Sequence, residues 1–315
     1  MKIATVTLNP AIDQTVSVDD FRIGAVNRSR AMRFDAGGKG VNVASFLADY
    51  GMDVVVTGFL GEENADIFER HFTRKKIDDC FIRVPGETRV NIKITDEHNQ
   101  ETTDLNMPGQ AAGEEAVDRL CEQIETLAEA CDFFVLSGNL RPGLSSDFYA
   151  KLIKSLKEKN RSCILDTSGE ALAEGVKAGP RMIKPNIAEL GQLVRRELNG
   201  LNDVHAAALS LINDGVELVV VSMGAEGALL VSRDNAFLAS PPSVIVKSTV
   251  GAGDAMVAGL VAGFADNLSM EECARLATAF SVSAITRLGR DLHGVDEIKS
   301  YQAQILITPF VVQQS

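Results

Sequence analysis

Residues 248–259, STVGAGDAMVAG, set an aspartate directly after a glycine-rich turn and directly before an apolar run. Gly251 and Gly253 can take backbone conformations closed to other residues and admit a ligand against the main chain. The apolar run from Ala255 to Ala265 reads as a buried helix, too short to span a bilayer. The unpaired N–H groups of its first turn then face the loop and form an anion site. Asp254 stands as a carboxylate at the mouth of a site that favours negative charge. It either caps the helix or accepts a proton beside a bound anion. The chain has no G-x-x-x-x-G-K-[ST] phosphate loop, and GAGDAM lacks the third glycine of a dinucleotide fingerprint.

Other stretches carry groups suited to the same kind of chemistry. In AGGKGVNVA, 36–44, Gly37, Gly38 and Gly40 surround Lys39 just before a helical pattern. Lys39 and Asn42 share one face of its first turn, an arrangement suited to a phosphorylated or hydroxyl-rich ligand. In KPNIAEL, 184–190, Asn186 and Glu189 fit the N-x-x-E spacing of a capping box. The same oxygens could hold, through water, a magnesium ion that travels with a nucleotide. SGNLRPG (137–143) and SMGAEGA (222–228) follow strand-like runs, at the carboxyl end where ligands bind in open α/β sheets.

The elements that must position these residues alternate. Ile3–Leu8, Val54–Phe59, Phe133–Ser137, Cys163–Asp166 and Leu218–Ser222 are apolar, strand-forming runs suited to a largely parallel sheet covered on both faces. Segments 38–51, 112–128, 145–159 and 202–213 read as helices between them. This order predicts a three-layer α/β domain. Residues 12–34 and 81–106 break the rhythm: Val90, Ile92 and Ile94 alternate with Arg89, Asn91 and Lys93, as in a small antiparallel sheet with one wet face. It is either an edge hairpin or a flap over a site on the main sheet. No linker or repeat divides the 315 residues, so a single domain, 1–315, is expected.

The net charge of −12 argues against nucleic acid or an anionic membrane as partner, but not against an anionic small molecule. Five scattered cysteines without a C-x-x-C point to a reducing cytoplasm, and four isolated histidines offer no zinc spacing. MKIATVTLNP reads as a strand rather than a signal peptide.

With these motifs in view, the chain resembles the ribokinase-like (PfkB) family of sugar kinases. The resemblance runs nearly the whole length, through Asn9-Pro10 with Asp13, GGKGVNVA, SGNL, KPNIAEL and STVGAGD in that order. LNPAIDQTV, GFLGEEN, TRVNIKI and SMGAEGA look like the branch that phosphorylates fructose 1-phosphate at O6. Kinases of tagatose 6-phosphate and fructose 6-phosphate stand beside that branch, and residue spacing does not separate them. A sensor that binds sugar phosphate without catalysis would lack the base or the anion hole, and both are present.

The resemblance implies a ribokinase-like three-layer αβα sandwich with a small antiparallel β-sheet lid formed by about 12–34 and 81–106. It implies ATP, Mg²⁺ and a homodimer clasped through the lid. Asp254 would be the general base, with the backbone of Gly251, Ala252 and Gly253 as anion hole. Asp13, at the end of the first strand, Gly38, Asn42 and Asn139 would line the sugar, and Lys39 and Arg89 would face its phosphate. Lys184, Ser222, Gly224, Gly227, Thr249, Gly251 and Gly253 would bind ATP, with Ser281 near adenine. Asn186 and Glu189 would hold Mg²⁺ through water, and Asp166 would help position that region. The family usually reads Ser-Gly-Ser-Leu-Pro-x-Gly at 137–143. Here Asn139 replaces the second serine and Arg141 precedes the proline, which either brings an extra cation near the substrate phosphate or only changes the turn. The basic run 27–33 either reaches a neighbour's site in the dimer or forms a solvated strand face.

Overall fold

The computed structural model describes residues 1–311 except 97, 100, 288 and 290. Its large sheet grows outward from β1 (Lys2–Thr7), which pairs in parallel with β4 (Asp53–Gly61) on one side and β9 (Phe133–Ser137) on the other. Beyond β9 lie β10 (Ser162–Asp166), β11 (Met182–Ile183) and β12 (Leu218–Ser222), all parallel. The antiparallel β13 (Ala228–Ser232), β14 (Ala236–Ser240) and β15 (Leu306–Pro309) finish that side. At the far edge β5 (Asp78–Asp79) and β6 (Ile82–Val84) pair with β4. All five strand-like runs of the sequence are here, and each is apolar along its length because helices cover both faces.

One face carries α1 (Lys39–Asp49), α2 (Asp66–Lys75), α8 (Ala252–Ala265), α9 (Met270–Ile285) and α10 (Val295–Gln302). Val41, Phe46, Phe68, Val257, Phe280 and Ile298 fill the core beneath them. The other carries α3 (Glu114–Ala130), α4 (Phe148–Glu158), α5 (Gly169–Val176), α6 (Ile187–Val194) and α7 (Leu201–Asn213), over Leu120, Ile153, Leu172, Leu190 and Leu211. These are the three layers expected. Helix α8 is buried almost all round, since Gly259 and Gly263 let α9 approach closely: a Cβ at 259 would stand 2.6 Å from the Cα of Ala277. Among the described residues, no helix is long and apolar enough to cross a membrane.

A second sheet of four strands stands apart, in the order β3 (Ser29–Gly37), β2 (Ala11–Val18), β7 (Val90–Asp96) and β8 (Glu101–Leu105). It departs from expectation in two ways. It is not wholly antiparallel: two hairpins lie side by side with β2 and β7 parallel, because the chain between them crosses the main domain first. Residues 81–88 do not belong to it, and Arg89 joins it only through its carbonyl, which accepts from Ile12 N–H at 2.8 Å. Ile82 and Val84 are buried, and β6 extends the large sheet beside β4. The turn after β7 includes 97 and 100, which lie outside the described residues. The basic run 27–33 lies largely on exposed β3, where Arg33 pairs with Asp35 at 2.7 Å and Arg30 with Asp19.

Candidate active site

At the carboxyl edge of the large sheet, the turn before α1 settles over the end of β1. Gly38 caps α1 at φ 126°, and a Cβ there would stand 2.8 Å from Thr7 Cγ2. Only glycine fits such a turn without strain. Its first helical turn directs Asn42, 5% exposed, at Asp254, 7% exposed, and Asn42 Nδ2 donates to Asp254 Oδ2 at 2.6 Å. Asp254 occupies the third position of α8 after Gly251, which takes φ 85°, yet the helix has no side-chain cap bond. The carboxylate is therefore turned away from its own helix end. The N–H groups of Gly251 and Gly253 donate to no acceptor among the described residues, while that of Ala252 turns back on Thr249 O at 3.3 Å. Of the three backbone groups expected in the anion hole, two are free.

Asp166 closes the floor. It ends β10, is 2% exposed, and accepts from Lys39 Nζ at 3.3 Å on both oxygens. Lys184 Nζ lies 3.6 Å from its Oδ1 and 3.1 Å from where a Cβ on Gly253 would be. Burial, and then repulsion from Asp166, raise the pKa of Asp254 above the ordinary carboxylate value against the pull of Lys39, Asn42 and Lys184. A helix N-terminus alone favours an ionised carboxylate; burial and a second acid outweigh it here. Burial works against the charge on Lys39, but Asp166 and Asp254 outweigh it and raise its pKa.

Other expected residues divide. Asp13 is not at the end of the first strand but on β2 in the small sheet, where it accepts from Asn91 Nδ2 at 3.1 Å. Its carboxylate lies above the glycine turn, since a Cβ on Gly37 would stand 2.4 Å from Asp13 Oδ2. Lys39 sits against Asp166. Arg89, half-buried, donates to the carbonyls of Asn9 (3.0 Å), Pro10 (3.2 Å) and Met107 (2.6 Å). Most of its guanidinium is thus engaged by the main chain, and burial lowers its pKa despite nearby Asp13. Asn139 and Thr249 are exposed on loops.

On the nucleotide side, Ser222 N donates to Pro185 O at 3.0 Å, which joins β12 to the turn holding Lys184 and Asn186. Gly224 is exposed beside them. Gly227 is a packing residue: at φ 93° a Cβ would fall 1.9 Å from Ala239 O. Ser281 donates to Ala252 O at 2.8 Å and pins α9 to the start of α8. Asn186 and Glu189 form the capping box in full, at 2.8 and 2.9 Å. The box engages Glu189 Oε2 and leaves Oε1. No group of three or more acid, histidine or cysteine ligands occurs among the described residues. Asn186 and Glu189 offer oxygen donors, which fit magnesium, a hard cation that keeps most of its water and takes few protein ligands.

The motifs included Asn9 within Asn9-Pro10 but gave it no role; its Nδ2 donates to Pro108 O at 3.0 Å and Leu140 O at 3.4 Å. Nor did they point to Tyr149, whose hydroxyl donates to the carbonyls of Ser137 (3.1 Å) and Gly138 (3.0 Å). The Asn-Pro pair that ends the first strand-like run was the available signal for Asn9. Nothing local marks Tyr149, which lies in an ordinary helical pattern.

A buried acid held by a distant asparagine, two lysines and a glycine-capped helix end is the arrangement a phosphotransferase needs. Comparison with known proteins decides the matter: residues 6–294 match the pfkB family carbohydrate kinases. The chain belongs to the PfkB family. It is 50% identical over 293 residues to 1-phosphofructokinase of Rhodobacter capsulatus, covering 93% of each chain. It is 38% identical to 1-phosphofructokinase of Escherichia coli, over 98% of this chain and 99% of that one. Phosphofructokinase-2 of Escherichia coli, solved in complex with fructose-6-phosphate, superposes with a TM-score of 0.90 at 32% identity, covering 96% of this chain and 98% of that one. The PfkB kinase fold expected from the motifs, a three-layer sandwich with a small separate sheet, is therefore the fold of this chain.

Proposed function

We propose that this PfkB kinase transfers the γ-phosphoryl group of ATP to O6 of fructose 1-phosphate. The observation that carries the reading is the Asn42–Asp254 bond, which aims an uncapped, buried carboxylate into the site. In the reaction the sugar O6 attacks the γ-phosphorus while its proton passes to Asp254. The bond from the γ-phosphorus to the β–γ bridging oxygen breaks, and ADP leaves with that electron pair. The N–H groups at the start of α8 hold charge on the phosphoryl in flight, and Lys184 neutralises nucleotide oxygens. A raised pKa makes Asp254 a better proton acceptor than an ordinary carboxylate once it is ionised. Magnesium, held through water by Asn186 and Glu189 and by nucleotide oxygens, would supply further neutralisation. Asp13 and Asn42 would orient the sugar hydroxyls.

The naming of relatives at 50% and 38% identity as 1-phosphofructokinases supports fructose 1-phosphate over its isomers. The test is ADP release from MgATP with fructose 1-phosphate, fructose 6-phosphate or tagatose 6-phosphate at equal concentrations. Fructose 1-phosphate should lead in kcat/KM by about a hundredfold, roughly 2.7 kcal/mol of transition-state preference. A 6-phosphate in first place would overturn the substrate and leave the base.

The small sheet leaves Met32, Phe34 and Leu105 exposed, with Ile23 and Val26 nearby in sequence. Apolar side chains of that number on one sheet support a homodimer through the lid. Sedimentation of the purified chain at the mass of a monomer would refute it.

A further inference from the structure

Arg141 is only 5% exposed, yet it has almost nothing to bond. Its Nε donates to Gln110 O, and its guanidinium carbon lies 5.7 Å from the centre of the Phe59 ring. The Nη1 and Nη2 groups, with four N–H donors between them, donate to no acceptor among the described residues, and no carboxylate pairs with them there. Burial lowers its pKa with no acidic neighbour opposing the shift. A guanidinium covered to this extent is ordinarily paired or hydrogen-bonded, whereas the Nη1 and Nη2 edge of Arg141 is left to open space. The stacked ring and the single bond to Gln110 fix the fork without satisfying it.

Its surroundings say where the fork lies. Arg141 follows Asn139 on the loop after β9, at the carboxyl edge of the sheet. The start of that loop borders the candidate active site, since a Cβ on Gly138 would stand 3.8 Å from Lys39 Cβ. The segment after β8 is fastened along its carbonyls by three side chains: Arg89 at Met107, Asn9 at Pro108 and Arg141 at Gln110. Arg141 and Arg89 thus grip one strap that leads out of the small sheet.

We propose that the free face of the Arg141 guanidinium binds a phosphate monoester. A planar fork with adjacent free N–H groups matches a phosphate's oxygens in bidentate fashion. The ester comes from one of two sources, the phosphate the sugar substrate already carries or a separate phosphorylated compound that regulates the enzyme. The first source rests on the sugar-phosphate reading above; the binding of phosphate does not.

The test compares the wild type with Arg141→Met, which keeps an apolar contact with Phe59, and Arg141→Lys. Inorganic phosphate is titrated calorimetrically into protein saturated with a non-hydrolysable MgATP analogue, so that the nucleotide site is filled. Affinity for phosphate should fall roughly tenfold or more in Arg141→Met, the scale of a charged hydrogen bond, and lie between the two in Arg141→Lys. If the KM for fructose 1-phosphate rises by a similar factor while that for MgATP stays within about twofold, the sugar's own phosphate is the ligand. If phosphate affinity falls but the KM holds, a separate phosphorylated compound is the ligand. If the wild type does not turn over fructose 1-phosphate at all but its phosphate binding still depends on Arg141, the substrate reading fails and the anion site stands. Equal phosphate affinity in the wild type and folded Arg141→Met would overturn the proposal. Should Arg141→Met not fold, equal affinity in Arg141→Lys would overturn it instead.

Discussion

Helices α6 and α8 both carry an acidic residue at the third position, and they use it in opposite ways. At α6, Glu189 reaches back to the N–H of Asn186 while the Asn186 side chain accepts from the N–H of Glu189. At α8, Asp254 ignores its helix end and bonds Asn42, 212 residues away. The difference lies in the cap residue and in depth. Asn186 has a side chain to share and is exposed, so a reciprocal box forms in water. Gly251 has none, and the buried Asp254 must find a partner elsewhere. The N–H groups that a cap would have taken remain open toward the loop. A carboxylate in the same place closes a cap in one helix and, in the proposed reaction, accepts the proton in the other.

Breaking the reactive member should have the largest effect. Asp254→Asn is expected to lower kcat by roughly a thousandfold or more, within the range of general-base catalysis, with ATP affinity nearly unchanged. Steady-state rates and nucleotide titration check this, and near-normal turnover would return Asp254 to a structural role. The same variant should melt no lower than the wild type. A carboxylate whose pKa is raised by folding destabilises the native state above that pKa, and the neutral amide removes the penalty. Breaking the structural member should matter less. Asn186→Ala is expected to cost about 1 kcal/mol of stability through the lost cap, with a modest rise in the magnesium needed for half-maximal rate. Calorimetry and a magnesium titration separate the two effects. A thousandfold loss of kcat there would mean that the box, not the open helix end, carries the chemistry.

The contrast also explains what could be read from the residues alone. The layers were legible because runs such as Phe133–Ser137 and Leu218–Ser222 are apolar throughout, as strands buried on both faces must be. The capping box was legible because both partners lie within one turn. The role of Asp254 was legible only as a choice, since a glycine turn before an acid fits a cap and a base equally. Its partner lies on α1, and no local pattern links residues so far apart. The raised pKa depends on burial and on Asp166, which are properties of the assembled site. Ile82 and Val84 continued the alternation of the small sheet and were read with it, although strand pairing put them beside β4. The family resemblance places Gly227 in the nucleotide site and Ser281 near adenine, and local sequence shows no structural task for either. In the fold, Gly227 also relieves a clash with Ala239 O and Ser281 also ties α9 to the start of α8.

The central claim is that Asp254, aimed by Asn42, accepts the proton. The most direct measurement is the pH dependence of kcat/KM for the wild type and for Asn42→Ala. Because the pKa of Asp254 is raised, activity should fall as pH drops through an acid limb lying above the ordinary carboxylate range. The Asn42 bond lowers that pKa, so its loss should move the limb to still higher pH. A limb at the ordinary carboxylate value that stays in place in Asn42→Ala would contradict the account.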